Sequence, residues 1–217
     1  MDIYRKILTA VIITVSVSAG LPVFASQSDY ILGELKRDDW EVRLSNKAVL
    51  EEINNPLSTE ALIKLIRNKE VDWIIQMRGI RLLGEIHTPR VKDVLLQLFS
   101  DIFFHRGCPA VKSSLALALG NFSGPTVVDA LIGGLDDTEV LVREASIVSL
   151  GKVGDARAVP YLIAQLKDRR FLIKASAIHS LGLLKDATAV SPLETIAHGD
   201  GEPLLRKEAL SALSTIR

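Results

Sequence analysis

Aromatic residues are scarce in this chain, at 5% of 217 positions, while hydrophobic residues as a whole reach 48%. Leu, Ile, Val and Ala supply most of that apolar content, a mixture that favours helices packed on helices over a sheet-rich fold. Cysteine is nearly absent. Cys108 is the lone thiol, so no internal disulfide framework is available, and its expected state is a small buried hydrophobe. An excess of charge of either sign is also missing: 26 basic side chains meet 26 acidic ones, and no run of basic residues breaks the balance. That argues against a nucleic-acid partner, which requires a basic face to displace phosphate counterions. The length suffices for one ordinary domain or for an array of small repeats.

Long hydrophobic runs are lacking too. The apolar stretch Ile7–Ala19 holds 13 residues, short of the roughly 20 that span a bilayer. Arg5 and Lys6 precede it, and "GLPVFAS" follows with a helix breaker and the small-x-small triplet Val23-Phe24-Ala25. This three-part form predicts a secretory signal peptide over residues 1–25, cleaved after Ala25. No Cys follows the run, so lipid attachment at a new N-terminal cysteine is not expected. The mature chain would hold 192 residues from Ser26 with a net charge of −1. Its expected location is outside the cytoplasm of a bacterium, periplasmic or extracellular, with no integral membrane span.

What the chain does have is an echo. "VREASIVSLG" at 142–151 returns as "IKASAIHSLG" at 173–182. Nine, five, four and one residues before Gly151 stand Val142, Ser146, Ile147 and Leu150, and the same offsets from Gly182 give Ile173, Ala177, Ile178 and Leu181. Gly84, Gly120 and Ser214 anchor similar sets, the last comprising Leu205, Ala209, Leu210 and Leu213. These offsets fall on one stripe of a 3.6-residue helix. The anchor glycine fits the left-handed residue that commonly ends a helix. A second helix follows each anchor, with Val159, Leu162, Ile163 and Leu166 at i, i+3, i+4 and i+7 and equivalent sets from Val128 and Val91. Asp155 and Asp186 are placed to cap such helices, and Pro160 falls near a first turn, where a missing N–H does least harm. No single pair buries its own stripe; stacking the pairs does. The expectation is an all-α array of about twelve antiparallel helices over 26–217. Its units lie near 29–38 (half), 39–68, 69–101, 102–135, 136–167, 168–199 and 200–217 (half). The 39–68 unit is degenerate, since Asn46 and Lys47 occupy stripe positions that Val42 and Leu50 otherwise respect.

The stretch "DDTEVLVREASIVSLGKVGDARAVPYLIAQLKD", 136–168, resembles the HEAT-type α-solenoid repeat, in particular the short subclass first recognised in phycobilin lyases. The resemblance covers roughly residues 29–217. It implies an α-α superhelix whose second helices line a concave surface, and a non-catalytic scaffold that grips a protein or peptide there without a cofactor. An enzymatic alternative comes with the same resemblance, a lyase or a metal-dependent enzyme related to phycobilin lyases or deoxyhypusine hydroxylases. The hydroxylases carry His-Glu dipeptides that bind iron. Here the residues after His87, His105, His179 and His198 are Thr88, Arg106, Ser180 and Gly199, so no metal motif carries over.

Three groups of residues stand out. Basic residues recur eight positions before the anchor, at Lys112, Arg143, Lys174 and Arg206, with Asp137 and Asp168 six positions ahead of two of them. This is either a charged ladder for an acidic ligand or a structural ladder between repeats. The segment "SDIFFHRGCP", 100–109, lengthens the anchor spacing from 31 to 36 and gathers Phe103, Phe104 and Arg106. Those rings either close a wide joint or anchor a partner, being residue types enriched at binding hot spots. On the second helix after Gly151, Tyr161 and Gln165 complete the candidate partner-binding set. Gly133-Gly134, in the helix before, marks either a flexible joint or a close helix approach.

Overall fold

The computed structural model describes residues 23–40, 56–68, 70–101, 104, 108–199 and 201–216. Among these residues the protein is all helical, with eleven α-helices, three short 3-10 turns and no strand. The expected first helix of the 39–68 unit, with Val42, Asn46, Lys47 and Leu50, falls outside the described residues, as do residues 1–22. No described helix is long and apolar enough to cross a membrane. The fold divides into two compact bodies, one ending at Ile86 and the other starting at His87. That division falls inside the expected 69–101 unit.

The N-terminal body contains α1 (Val23–Leu35), α2 (Pro56–Arg67) and α3 (Trp73–Gly84), each packed on the other two. Ile31 and Leu35, Leu62 and Ile66, and Ile80 and Leu83 form its core, all of them buried. Gly79 lets α3 come close: a Cβ there would lie 2.6 Å from Ile66 Cγ2 and 3.4 Å from Leu62 Cδ1. Arg78 donates to the Leu35 carbonyl at 2.6 Å and to that of Arg37 at 3.2 Å. The Arg78 and Arg81 guanidiniums both lie against the Trp40 ring, 5.2 and 4.9 Å from its centroid.

The C-terminal body alternates second helices with first helices. The second helices are α4 (Pro89–Ser100), α6 (Pro125–Gly133), α8 (Val159–Gln165) and α10 (Val190–His198). The first helices are α5 (Pro109–Leu119), α7 (Val140–Val153), α9 (Phe171–Leu184) and α11 (Pro203–Ile216). The first helices stack in the order α5, α7, α9, α11, and the second helices pack against them as a second layer. Proline stands at the first turn of α4, α5, α6 and α8, where its missing N–H has no helical acceptor to lose. Asp155 and Asp186 cap the 3-10 turns that lead into α8 and α10, accepting from Arg157 N and Thr188 N at 2.9 and 2.8 Å. The stripe residues Val142, Ser146, Ile147 and Leu150, and Ile173, Ala177, Ile178 and Leu181, are all fully buried.

Two expectations need correction. The anchor glycines do not end their helices in a left-handed turn. Gly151 and Gly182 lie inside α7 and α9, and the positive-φ residues are Gly154 and Lys185, three positions further on. The anchors are small because the next first helix lies on them. A Cβ on Gly151 would stand 2.6 to 2.9 Å from Ser180, one on Gly120 2.8 to 3.1 Å from Ser149, and one on Gly182 3.1 Å from Ala212. Leu210 is not core: it is 53% exposed, whereas its equivalents Ala116, Ile147 and Ile178 are at 0%. Each of those three sits beneath the following first helix, and no described helix follows α11.

Candidate partner-binding surfaces

The stack also carries a hydrogen-bond pattern. Ser149 Oγ donates to the Ala116 carbonyl at 2.8 Å, Ser180 Oγ to that of Ile147 at 3.0 Å, and Thr215 Oγ1 to that of Gly182 at 3.1 Å. Each bond reaches back 33 residues to the preceding first helix, so the buried hydroxyls of Ser149 and Ser180 are satisfied by the neighbour they touch. The sequence signal for the Ser149 and Ser180 bonds was a serine two positions before the anchor, whereas Thr215 follows its anchor, Ser214.

The basic ladder joins successive units. Lys112 Nζ reaches Asp137 Oδ2 at 2.5 Å and lies over the Phe99 ring. Arg143, 8% exposed, donates to the carbonyls of Asp137 and Thr138 at 2.7 and 3.1 Å and lies 3.7 Å from Asp168 Oδ2. Asp137 and Asp168 in turn accept from Glu139 N and Arg170 N, bracing the loops that lead into α7 and α9. One carboxylate thereby serves its own helix start and the cation of the unit before it. Lys174 and Arg206, one and two units further along, are half-buried.

Of the candidate binding residues, Tyr161 is exposed on α8 and Gln165, the last residue of that helix, is half-buried. Phe104 is half-buried and its N–H donates to Asp101, both to the carbonyl at 3.1 Å and to Oδ1 at 3.2 Å. Phe103 and Arg106 lie outside the described residues, as does His105. Cys108 is only half-buried rather than buried, because it precedes α5 instead of lying on its packed face. Gly134 is a close approach: a Cβ there would meet Ser146 and come within 3.0 Å of Phe99 Cζ, while Gly133 faces open space.

Around Tyr161 the outward faces of the second helices carry short side chains: Thr126 and Asp129 on α6, Pro160 and Ala164 on α8, Ser191 and Thr195 on α10. Arg157 links this face across units, 3.2 Å from Asp129 and 3.0 Å from Asp155. The side-chain and backbone hydrogen bonds that Arg157 donates hold the Asp155 carboxyl below its ordinary value of 3.8, and the same side-chain bonds to Asp155 raise the Arg157 guanidinium. Thr188 lowers Asp186 in the same way. His87, His179 and His198 are exposed, and His87 stacks at 5.7 Å on Phe122. On the opposite layer a shallow cleft of about 160 Å³ lies between α9 and α11, lined by His179, Glu208, Ser211 and Thr215 among others. Among the described residues no three His, Cys, Asp or Glu side chains gather as a metal set.

Residues 101–181 match the family model for HEAT repeats. No curated protein matches the chain as a relative. Among solved structures, a designed armadillo repeat protein in complex with the peptide (KR)4 is similar at 15% identity and a TM-score of 0.57, over 87% of this chain and 98% of that one. An engineered protein gives 17% identity and a TM-score of 0.56, over 88% and 98%. The complex of CpcE and CpcF of phycocyanin lyase from Nostoc sp. PCC7120 gives 19% identity and a TM-score of 0.52, over 87% and 76%. At such identities the likeness is one of fold. The chain thus has the stacked helix pairs of an α-solenoid, and its segment 101–181 is made of HEAT repeats.

Proposed function

We propose that this protein is a non-catalytic interaction scaffold that binds a protein or peptide on the face lined by its second helices, the concave face in solenoids of this kind. The observation that carries the reading is Tyr161, 49% exposed. It stands on an outward face whose neighbouring side chains are short, so a partner backbone can come close to the helices while one amphipathic ring anchors it. Phe103, Phe104 and Arg106 extend this reading to the lengthened 100–109 connection. The peptide complex of the designed armadillo repeat protein supports such a use of the fold. We infer further that the scaffold acts outside the cytoplasm, on the strength of Arg5-Lys6, the apolar run and the triplet ending at Ala25.

Two measurements test this. Intact mass of the protein from the envelope fraction should show a chain starting at Ser26; a membrane-held chain starting at Met1 contradicts export. Partner capture by the mature protein should fall in Tyr161→Ala with its melting temperature unchanged. Unaltered capture would move the site off this face. A bound metal or a visible chromophore in the purified protein would shift the reading to the enzyme class.

A further inference from the structure

Every second helix of the C-terminal body ends, and every following first helix begins, along one edge of the two-layer array. The second residue of α7, α9 and α11 is a leucine in each case, and Leu141, Leu172 and Leu204 are 51%, 44% and 51% exposed. Phe171, beside Leu172, is also exposed. A single exposed leucine needs no explanation. Three at the same helical position, on three stacked helices, form a row of apolar side chains at a regular interval. Helices in contact lie about 10 Å apart, so the row is about 20 Å long.

The charges beside the row alternate by connection. The loop into α7 exposes Asp136 and Glu139, the loop into α9 exposes Lys167, Arg169 and Arg170, and the loop into α11 exposes Glu202. Asp137 and Asp168 do not count toward this surface, because they are turned to Lys112 and Arg143. Among the described residues Lys167 and Arg169 have no ion-pair partner, and the Arg170 guanidinium lies 3.9 Å from Asp168 Oδ1. The edge is therefore acidic, basic and acidic in turn, with leucines at a fixed interval.

We propose that this edge docks a protein segment in the polyproline-II conformation, with an apolar side chain at every third position, carboxylates at its centre and cations at its flanks. The interval follows from the helix spacing: about 10 Å is one turn of polyproline-II chain, three residues at about 3.1 Å each, which returns every third side chain to the same face. The charge order follows from complementarity, which sets register and excludes wrong partners. An anionic lipid surface or a nucleic acid fits less well, since Asp136, Glu139 and Glu202 would face its negative charge on both sides of the arginines. The surface is separate from the second-helix face around Tyr161 and does not rest on it.

The probe is a labelled ten-residue peptide with Leu at every third position, Asp and Glu between the central leucines and Lys at both ends. A control peptide has its charges exchanged. The full chain should bind the first at least about tenfold more tightly than the second. R169E/R170E should reverse that preference, Leu172→Ser should weaken both, and neither should alter the melt, because these side chains are exposed. Tyr161→Ala should leave peptide binding unchanged, which separates this surface from the proposed partner face. Equal binding of the two peptides, or an undiminished preference in R169E/R170E, would overturn the proposal. Phosphatidylserine vesicles bound by the wild type but not by R169E/R170E, with neither peptide bound, would overturn it in favour of a lipid surface.

Discussion

In the C-terminal body the hydrogen bonds between neighbouring first helices come from short hydroxyls set on glycine or alanine contacts, whereas in the N-terminal body the long Arg78 side chain of α3 ties it to the end of α1. Gly120 and Gly151 receive Ser149 and Ser180, and those hydroxyls bond the carbonyls of the helix beneath. Arg78 instead spans from α3 to the end of α1, taking the carbonyls of Leu35 and Arg37 while lying on Trp40. The first arrangement repeats, because a flat contact between identical positions can be copied onto the next helix. The second cannot be copied, since it depends on one ring and one helix end. This difference accounts for the clear repeat after residue 108 and its loss before residue 86.

The regular stack is most vulnerable at its centre. Leu150→Asp places a charge at a fully buried position, which costs several kcal/mol, comparable to a domain's stability. Circular dichroism should show lost helicity and a collapsed melt. In the irregular body, Arg78→Ala removes two hydrogen bonds and a ring contact, for about 1–3 kcal/mol. Hydrogen exchange should quicken in α1 and α3. Ser180→Ala keeps the close contact on Gly151 and deletes only the bond to Ile147, so about 1 kcal/mol is expected in a denaturant titration. The smallest effect concerns the caps. Asp155 and Asp186 have folded pKa values below 3.8. Their contribution is therefore present at neutral pH and lost as pH falls through those lowered values. Asp155→Asn with Asp186→Asn should narrow the gap between urea midpoints at neutral and acid pH.

Helix positions and core stripes were legible in the sequence, because a 3.6-residue period marks a buried face wherever small and apolar residues keep to it. The meaning of the "LG" pair was not. A glycine that ends a helix and one that admits a neighbour look alike along the chain, and only the position of Ser180 over Gly151 separates them. Leu210 was misplaced for a related reason: burial at that position depends on the next helix, which its own helix's pattern does not encode. Tyr161 could be placed on an outward face from periodicity alone. The exposed row of Leu141, Leu172 and Leu204 was missed, because exposure at a helix start follows from how the connections share an edge. Phe103 and Arg106 lie outside the described residues.

If the anchor glycines exist for contact between repeats, alanine must act oppositely at a glycine that touches a neighbouring repeat and at one that does not. Gly133 and Gly151 are both helical, but a Cβ meets nothing within 4 Å at the first and Ser180 within 3 Å at the second. Gly133→Ala should stabilise the protein by about 0.5–1 kcal/mol through helix propensity. Gly151→Ala should destabilise it by about 1–3 kcal/mol through overpacking. Opposite shifts of the thermal midpoint are the predicted result; a rise in both variants would contradict the claim.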